Sequence, residues 1–336
     1  MRRLILLVAL IWPCHHTALR AQDVTLPMKP GSVRFAAFGD MGTGKSPQYE
    51  VARQLFRFHQ KFRFNFVILL GDNIYGSKKA RDMVKKFEEP YQPLLDAGVQ
   101  FYASLGNHDD RDQRFYKYFG MKEQEYYSFK KENVRFFALE SGYMDGAQLE
   151  WLEKGLAKSG ADEWKICFFH HPLYSSAKFH GSSTELRGIL EPLFVKYGVD
   201  VVFSGHDHVY ERVKPQKGIH YFVEGAAGQL RAGDLRKSDL TAAGYDQDRS
   251  FLLVEISDDD LYFQAVSRTG ETVDSGTFHR RVVIQGKRGL PDVPPLLERR
   301  HAGTVAHRAP RRRPPTIRLT WGQEREKGAC LMCPPF

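Results

Sequence analysis

Cysteine is scarce, with four among 336 residues, at positions 14, 167, 330 and 333. Only Cys167 falls in the body of the chain, so a disulfide framework and a thiolate metal site are both excluded there. The pair Cys330 and Cys333 forms a lone CxxC, weak ground for zinc or redox chemistry. Long apolar runs are lacking too. Apart from Leu4 to Trp12, itself too short, none approaches a membrane helix, so no membrane span is expected. The body also lacks an excess of positive charge. The chain carries +9 overall, but Arg280 to Phe336 holds 13 Lys/Arg against 4 Asp/Glu, and residues 1–21 add three Arg. Residues 22–279 therefore hold 33 basic and 36 acidic side chains, a net of −3, and no nucleic-acid partner is expected for this core. What is present is bulk: 42% hydrophobic and 26% charged residues bury a large core, in one large domain or two ordinary ones.

The two ends read differently from the middle. Arg2 and Arg3, the apolar run Leu4 to Trp12 and the small Ala21 have the three-part layout of a signal peptide over residues 1–21. Export, to a periplasm or the cell exterior, is the expectation. Cys14 follows Ile-Trp-Pro, without the small residues that precede a lipid-modified cysteine. From 286 to 336 proline and arginine dominate, as in Arg311-Arg312-Arg313-Pro314-Pro315, a composition that buries too little surface to fold. The division expected is a signal peptide (1–21), one domain (22–285) and a basic Pro/Arg-rich tail (286–336).

Between those ends, short β-branched and aromatic runs recur: 33–38, 66–70, 99–105, 134–139, 166–169, 199–203 and 219–223. Most are nearly continuous in apolar residues, as strands covered on both faces are. Helical patterns fall between them. Ser46-Pro47 predicts an N-cap with proline at N1, followed by the stripe Val51, Leu55, Phe58 and Phe62. Leu149, Leu152 and Leu156 predict a second helix, closed near Gly160. After residue 248 only strands are expected, at 251–256, 261–266 and 272–278. The fold class is α/β, a layered architecture with two sheets.

The informative polar residues sit where those strands end. Asp40 follows the first strand, Asp72 the second, and Asn107 with His108 the third. His170 ends the strand Cys167-Phe168-Phe169, and His206 and His208 follow Val201 to Phe203. In open α/β sheets the carboxyl ends of strands meet at one rim, where ligands bind. Carboxylate, amide and imidazole gathered there suit iron, manganese or zinc. The number of donors exceeds what one ion needs, whereas two ions bridged by Asp72 would use them all.

This ordered set resembles the calcineurin-like metallophosphoesterases and, among them, the small, single-domain purple acid phosphatases, over residues 32–279. The wider superfamily has Asp-x-His at the first motif. Here that histidine's position is Gly42, and the purple acid phosphatases replace it by a tyrosine three residues after the bridging aspartate, where Tyr75 stands. The resemblance implies a four-layer α/β/β/α sandwich of two mixed sheets. It implies a first ion on Asp40, Asp72, Tyr75 and His208, and a second on Asp72, Asn107, His170 and His206. A phenolate favours Fe(III) at the first site; the second would take divalent iron, zinc or manganese. The expected reaction is hydrolysis of a small-molecule phosphate monoester by metal-activated hydroxide. His108 resembles the phosphate-contacting, proton-donating histidine of the family. His180 lies ten residues after His170, where plant-type members carry paired histidines near substrate, although position 179 here is Phe. Asp109, His171 and Asp207 are expected to orient the ligands.

Three competitors share some of these residues. Gly39 to Ser46 matches the P-loop pattern G-x-x-x-x-G-K-[ST]. Against a nucleotide site, Asp40 would put a carboxylate into a phosphate cradle, and the other four motifs would lack a role. A phosphodiesterase on the same fold is separated only by Gly42 and Tyr75. An exported, inactive metal-binding protein would have lost ligand types that are all present here.

Overall fold

The computed structural model describes residues 23–77 and 79–280. The expected signal peptide, the tail and Cys14, Cys330 and Cys333 lie outside the described residues. The chain runs β1 (Val33–Phe38), α1 (Ser46–Phe62), β2 (Phe66–Leu70), α2 (Ala80–Met83), a π-helical turn (Val84–Glu88), α3 (Glu89–Asp96) and β3 (Gln100–Ser104). There follow β4 (Tyr127–Lys131), β5 (Val134–Ala138), α4 (Gly146–Lys158), β6 (Trp164–Phe169), α5 (Thr184–Tyr197), β7 (Val201–Ser204), β8 (Tyr210–Gln216) and β9 (Ile219–Glu224). Strands alone close the fold: β10 (Thr241–Tyr245), β11 (Ser250–Ser257), β12 (Asp260–Ser267) and β13 (Thr272–His279).

One sheet has the order β13-β12-β11-β1-β2-β3, the other β10-β8-β9-β7-β6-β5-β4. The strands β1, β2 and β3 are mutually parallel, as are β5, β6, β7 and β9, while the flanking strands are antiparallel. Both sheets are therefore mixed. Alternation along each central strand explains the layering. Phe35 on β1 meets Phe136 on β5 and Phe203 on β7 edge to face, at 5.4 and 5.9 Å between centroids, and this aromatic seam joins the sheets. The neighbouring side chains point outward. Phe38 stacks on Tyr91 of α3, and Phe58 of α1 meets Phe251 of β11. On the far face Phe137, Cys167, Phe169 and Val202 pack with Leu152, Leu156, Leu190 and Phe194 of α4 and α5. The result is the four-layer α/β/β/α sandwich.

The stripe Val51, Leu55, Phe58 and Phe62 is buried as its period requires. The cap is one residue off: Lys45 is the N-cap of α1 and Ser46 the first helical residue. The Ser46 hydroxyl bonds Glu50 at 2.8 Å instead of a backbone N–H, so it supports the first turn from inside. Helix α4 ends at Lys158, two residues before Gly160, and is capped by Asp145, whose side chain accepts from Gln148 N. Among the described residues no helix is long and apolar enough to cross a membrane.

Candidate metal centre

The parallel strands bring their carboxyl ends to one edge of the sandwich. The loops after β1, β2, β3, β6 and β7 deliver Asp40, Asp72, Asn107, His170 and the pair His206 and His208. The sheets are tied together there by the site itself. His170 Nδ1, on the second sheet, lies 2.9 Å from the Leu70 carbonyl of the first, and His206 N donates to Asp40 Oδ2 at 2.8 Å. Asp40, Asp72 and His206 all hold left-handed backbone, with φ of 56, 50 and 71°. Non-glycine residues pay of order 1–3 kcal/mol for such a conformation, and it persists where surroundings over-determine it. Gly106 shows how tightly these loops close: a Cβ there would lie 2.2 Å from Asp72 Oδ1.

The donors form two clusters. In the first, Tyr75 Oη donates to Asp40 Oδ1 at 2.8 Å and lies 3.2 Å from His208 Nε2, itself 3.3 Å from Asp40 Oδ1. Burial, then the charges of Asp40 and Asp72, raise the Tyr75 phenol well above its ordinary range. Burial also opposes ionisation of Asp40, but the neighbouring histidines and the Tyr75 hydroxyl outweigh it and hold that carboxyl low. Tyr75 reaches this position because its N–H bonds Gly42 O at 3.0 Å. At Gly42 a Cβ would stand 1.8 Å from Asn73 O.

In the second cluster His170 Nε2 lies 3.0 Å from Asn107 Oδ1, 3.0 Å from His206 Nδ1 and 3.5 Å from Asp72 Oδ1. The Leu70 carbonyl can only accept, so His170 Nδ1 carries the donated proton. Nε2 then faces other lone pairs unless a positive charge lies among them. Burial disfavours a protonated His170, yet Asp72 and Asp40 override it and raise its pKa. The cluster thus attracts a proton where a cation would balance its donors. Ligand atoms of Asp40, Asp72 and His170 lie within 4.8 Å of one another, all three buried, and those of His170, His171 and His206 do likewise. The donor chemistry fits two ions, one on each side of Asp72.

The surrounding residues hold the loops. Asp109 accepts from the backbone of Asn73, Ile74 and Gly106 at 2.9–3.0 Å, pinning the Asp72 loop to the Asn107 loop. Asp207 Oδ1 accepts from Gly181 N at 3.3 Å, and His171 Nδ1 lies 2.9 Å from Ser141 Oγ. His108 packs on Tyr75 at 4.8 Å between centroids; its half-exposed side chain places Nε2 4.0 Å from Asp72 Oδ2. The His180 ring lies 4.0 Å from that of His206. Although His180 is solvent-exposed as a residue, the packing of its ring and then the Arg231 charge pull the imidazole down to about 4. All nine sequence candidates therefore meet at one rim. Sequence reasoning missed Glu211, buried beneath the rim, and Arg231, which approaches through a loop with no motif of its own. The P-loop reading fails locally as well. Gly44 N, which a phosphate cradle would aim at its ligand, bonds Gln48 Oε1 at 2.7 Å, and Lys45 is exposed.

Residues 33–210 match the family described as calcineurin-like phosphoesterase, and the chain belongs to that family. It is a metal-dependent phosphoric-ester hydrolase with a dinuclear centre. Among curated relatives it is 25% identical to tartrate-resistant acid phosphatase type 5 of Rattus norvegicus, over 74% of this chain and 91% of that one. It is 28% identical to purple acid phosphatase 17 of Arabidopsis thaliana, over 61% of this chain and 71% of that one. A solved structure titled "GAP50 the anchor in the inner membrane complex of Plasmodium" shares the fold, with a TM-score of 0.67, 19% identity and coverage of 74% and 89%.

Proposed function

We propose that the chain is an acid phosphatase of the purple type, hydrolysing small phosphate monoesters. The observation that carries this reading is the pairing of Gly42 with Tyr75: the phenol occupies the Asp40–His208 corner, and the backbone at 42 leaves no room for a side chain. In this reading Asp40, Asp72, Tyr75 and His208 hold the first ion, and Asp72, Asn107, His170 and His206 the second. A phenol raised well above its usual pKa becomes a ligand only to a strong Lewis acid, which favours Fe(III) in the first position. Iron, zinc or manganese as a divalent ion suits the more neutral second set. Bound ions supply Lewis acidity, polarising the phosphoryl oxygens and acidifying the attacking water.

The chain's own residues do the remainder. His108, backed by Tyr75 and half exposed, is placed to hand a proton to the leaving alcohol oxygen as the ester bond breaks. His180, neutral above about pH 4, offers a hydrogen bond rather than a charge. Asp109 keeps the Asp72 and Asn107 loops in register, so the donors stay aimed while substrate exchanges. The layout of residues 1–21 supports export to a periplasm or the cell exterior, and the N-terminal sequence of protein recovered outside the cytoplasm tests it.

The test of the reaction compares an aryl phosphate monoester with its matching diester from acidic to neutral pH, using the full chain loaded with iron and zinc. A monoester preference on the acidic side is expected. A diester preference near neutrality would move the enzyme to the phosphodiesterase branch. Silence on both, with the ions bound, would overturn catalysis in favour of a binding role, such as the anchor named for the Plasmodium protein.

A further inference from the structure

Two loops distant in sequence clamp together beside the candidate centre. Lys178 N donates to Asp234 O at 2.9 Å, Arg236 N donates to Ser176 O at 3.2 Å, and the Arg236 guanidinium bonds the carbonyls of Ser176 and Ala177. Beneath them buried Glu211 accepts from Ser176 N at 2.7 Å and from the Thr241 hydroxyl at 2.5 Å. This clamp fixes the entry to one loop and the exit from the other, and so sets where Phe179 and Arg231 stand.

Those two residues form a stack at the rim. The guanidinium of Arg231 lies 3.5 Å above the ring centroid of Phe179, which is 55% exposed. Phe179 meets His180 edge-on at 4.5 Å, and His180 in turn packs on His206 at 4.0 Å. Arg231 N also donates to His208 O at 3.1 Å, so the backbone of this arginine is tethered to the centre. The other rim arginine, Arg236, is consumed by carbonyls, and Arg212, farther along β8, pairs with Asp274. Arg231 differs: it forms no ion pair with a described carboxylate, and its buried Nε has no hydrogen-bond partner. Stacking on an aromatic face holds a guanidinium in place while its edge stays open to a planar or tetrahedral oxyanion.

We propose that Arg231, presented by Phe179, is a specificity residue that binds a second anionic group, carboxylate or phosphate, on the leaving-group side of the substrate. The assignment rests on the phosphomonoesterase reading for its substrate class, but not for its geometry. A monoester bound at the two ions, with its ester oxygen at His108 and the rest of its alcohol extending past His180, would bring that second group to the guanidinium edge. Substrates with a neutral leaving group forgo this contact.

The experiment measures, by titration calorimetry on the metal-loaded full chain, the affinities of methylphosphonate, phosphonoacetate and methylenediphosphonate. At least one of the two probes that carry a second anionic group is expected to bind about tenfold or more tightly than methylphosphonate, the size of one charge-assisted contact. The responding probe tells carboxylate from phosphate. Arg231→Gln should bring that ratio to near one, and Arg231→Lys should restore part of it, since lysine keeps the charge without the fork. Equal affinities in the wild type, or a ratio that survives Arg231→Gln with normal metal content, would overturn the proposal. In hydrolysis, the KM of a carboxylated aryl phosphate should rise in Arg231→Gln relative to that of phenyl phosphate, with their kcat ratio steady. A binding ratio that depends on Arg231 without hydrolysis of either ester would sink the monoesterase reading and leave the anion contact standing.

Discussion

The Asp40–Tyr75–His208 cluster and the Asn107–His170–His206 cluster share Asp72 and little else. The first joins a carboxylate and a phenol by a direct hydrogen bond, with one imidazole against both. The second is an amide and two imidazoles, neutral donors that borrow their only anion from Asp72. Charge, more than distance, separates the two halves. An anionic set gains most from a highly charged ion and should hold it tightly, whereas a neutral set favours a divalent ion and easier exchange.

The largest expected effect removes what the halves have in common. Asp72→Ala should abolish turnover and lower the content of both ions, read by elemental analysis; retained turnover would sink the shared-bridge assignment. Next come changes that should split the pair. His170→Ala should weaken retention of the second ion by more than the roughly 10–100-fold typical of supporting residues, with the visible absorption of the first intact. Tyr75→Phe should do the reverse, erasing phenolate-to-iron absorption while the divalent ion stays. If either variant lost both ions equally, the difference between the clusters would collapse.

The smallest effect is a control at a distance. Glu163 is drawn down to about 2, first by its hydrogen bonds to Arg135, against partial desolvation, and then by Lys130. Its folded pKa lies below the ordinary 4.5, so its stabilisation is present above about pH 4.5 and fades as pH falls through about 2. Solvent screening keeps it under about 1 kcal/mol. Glu163→Gln should lower urea stability by that small amount at pH 6 and by less at pH 3, with both ions unaffected. A loss that grew toward pH 3 would reverse the sign of this argument.

Much of this was legible along the chain, and unevenly. Central strands read cleanly because both their faces are buried: Phe66 to Leu70 is apolar throughout, and so is its surroundings. The outer strands of the second sheet did not. At its edges Tyr127 to Lys131 alternates with lysine and Thr241 to Tyr245 is mostly small residues, and next to the latter Tyr210 to Gln216 mixes charges with Pro215. Helix α5 buries the stripe Leu186, Leu190 and Phe194 but is interrupted by Gly188 and Pro192, and the segment 80–96 buries Met83, Phe87, Tyr91 and Leu94 across a π-turn, Pro90 and Pro93, so the breakers masked both stripes. Of the nine rim candidates, Tyr75 and His180, farther along their loops, were marked only by the family resemblance, whereas the other seven stood out because they follow an apolar strand closely. Arg231 could not, since its position depends on the pairing of residues 176–178 with 234–236, which no local pattern encodes.

The contact at Gly42 carries a consequence for redesign. Any side chain there would bring its Cβ to 1.8 Å from the Asn73 carbonyl, in the very turn that presents Tyr75. A histidine donor at position 42 and the tyrosine in its present place are therefore mutually exclusive on this backbone. Converting one form of the half-site into the other takes a rebuilt turn and not a single exchange of side chains.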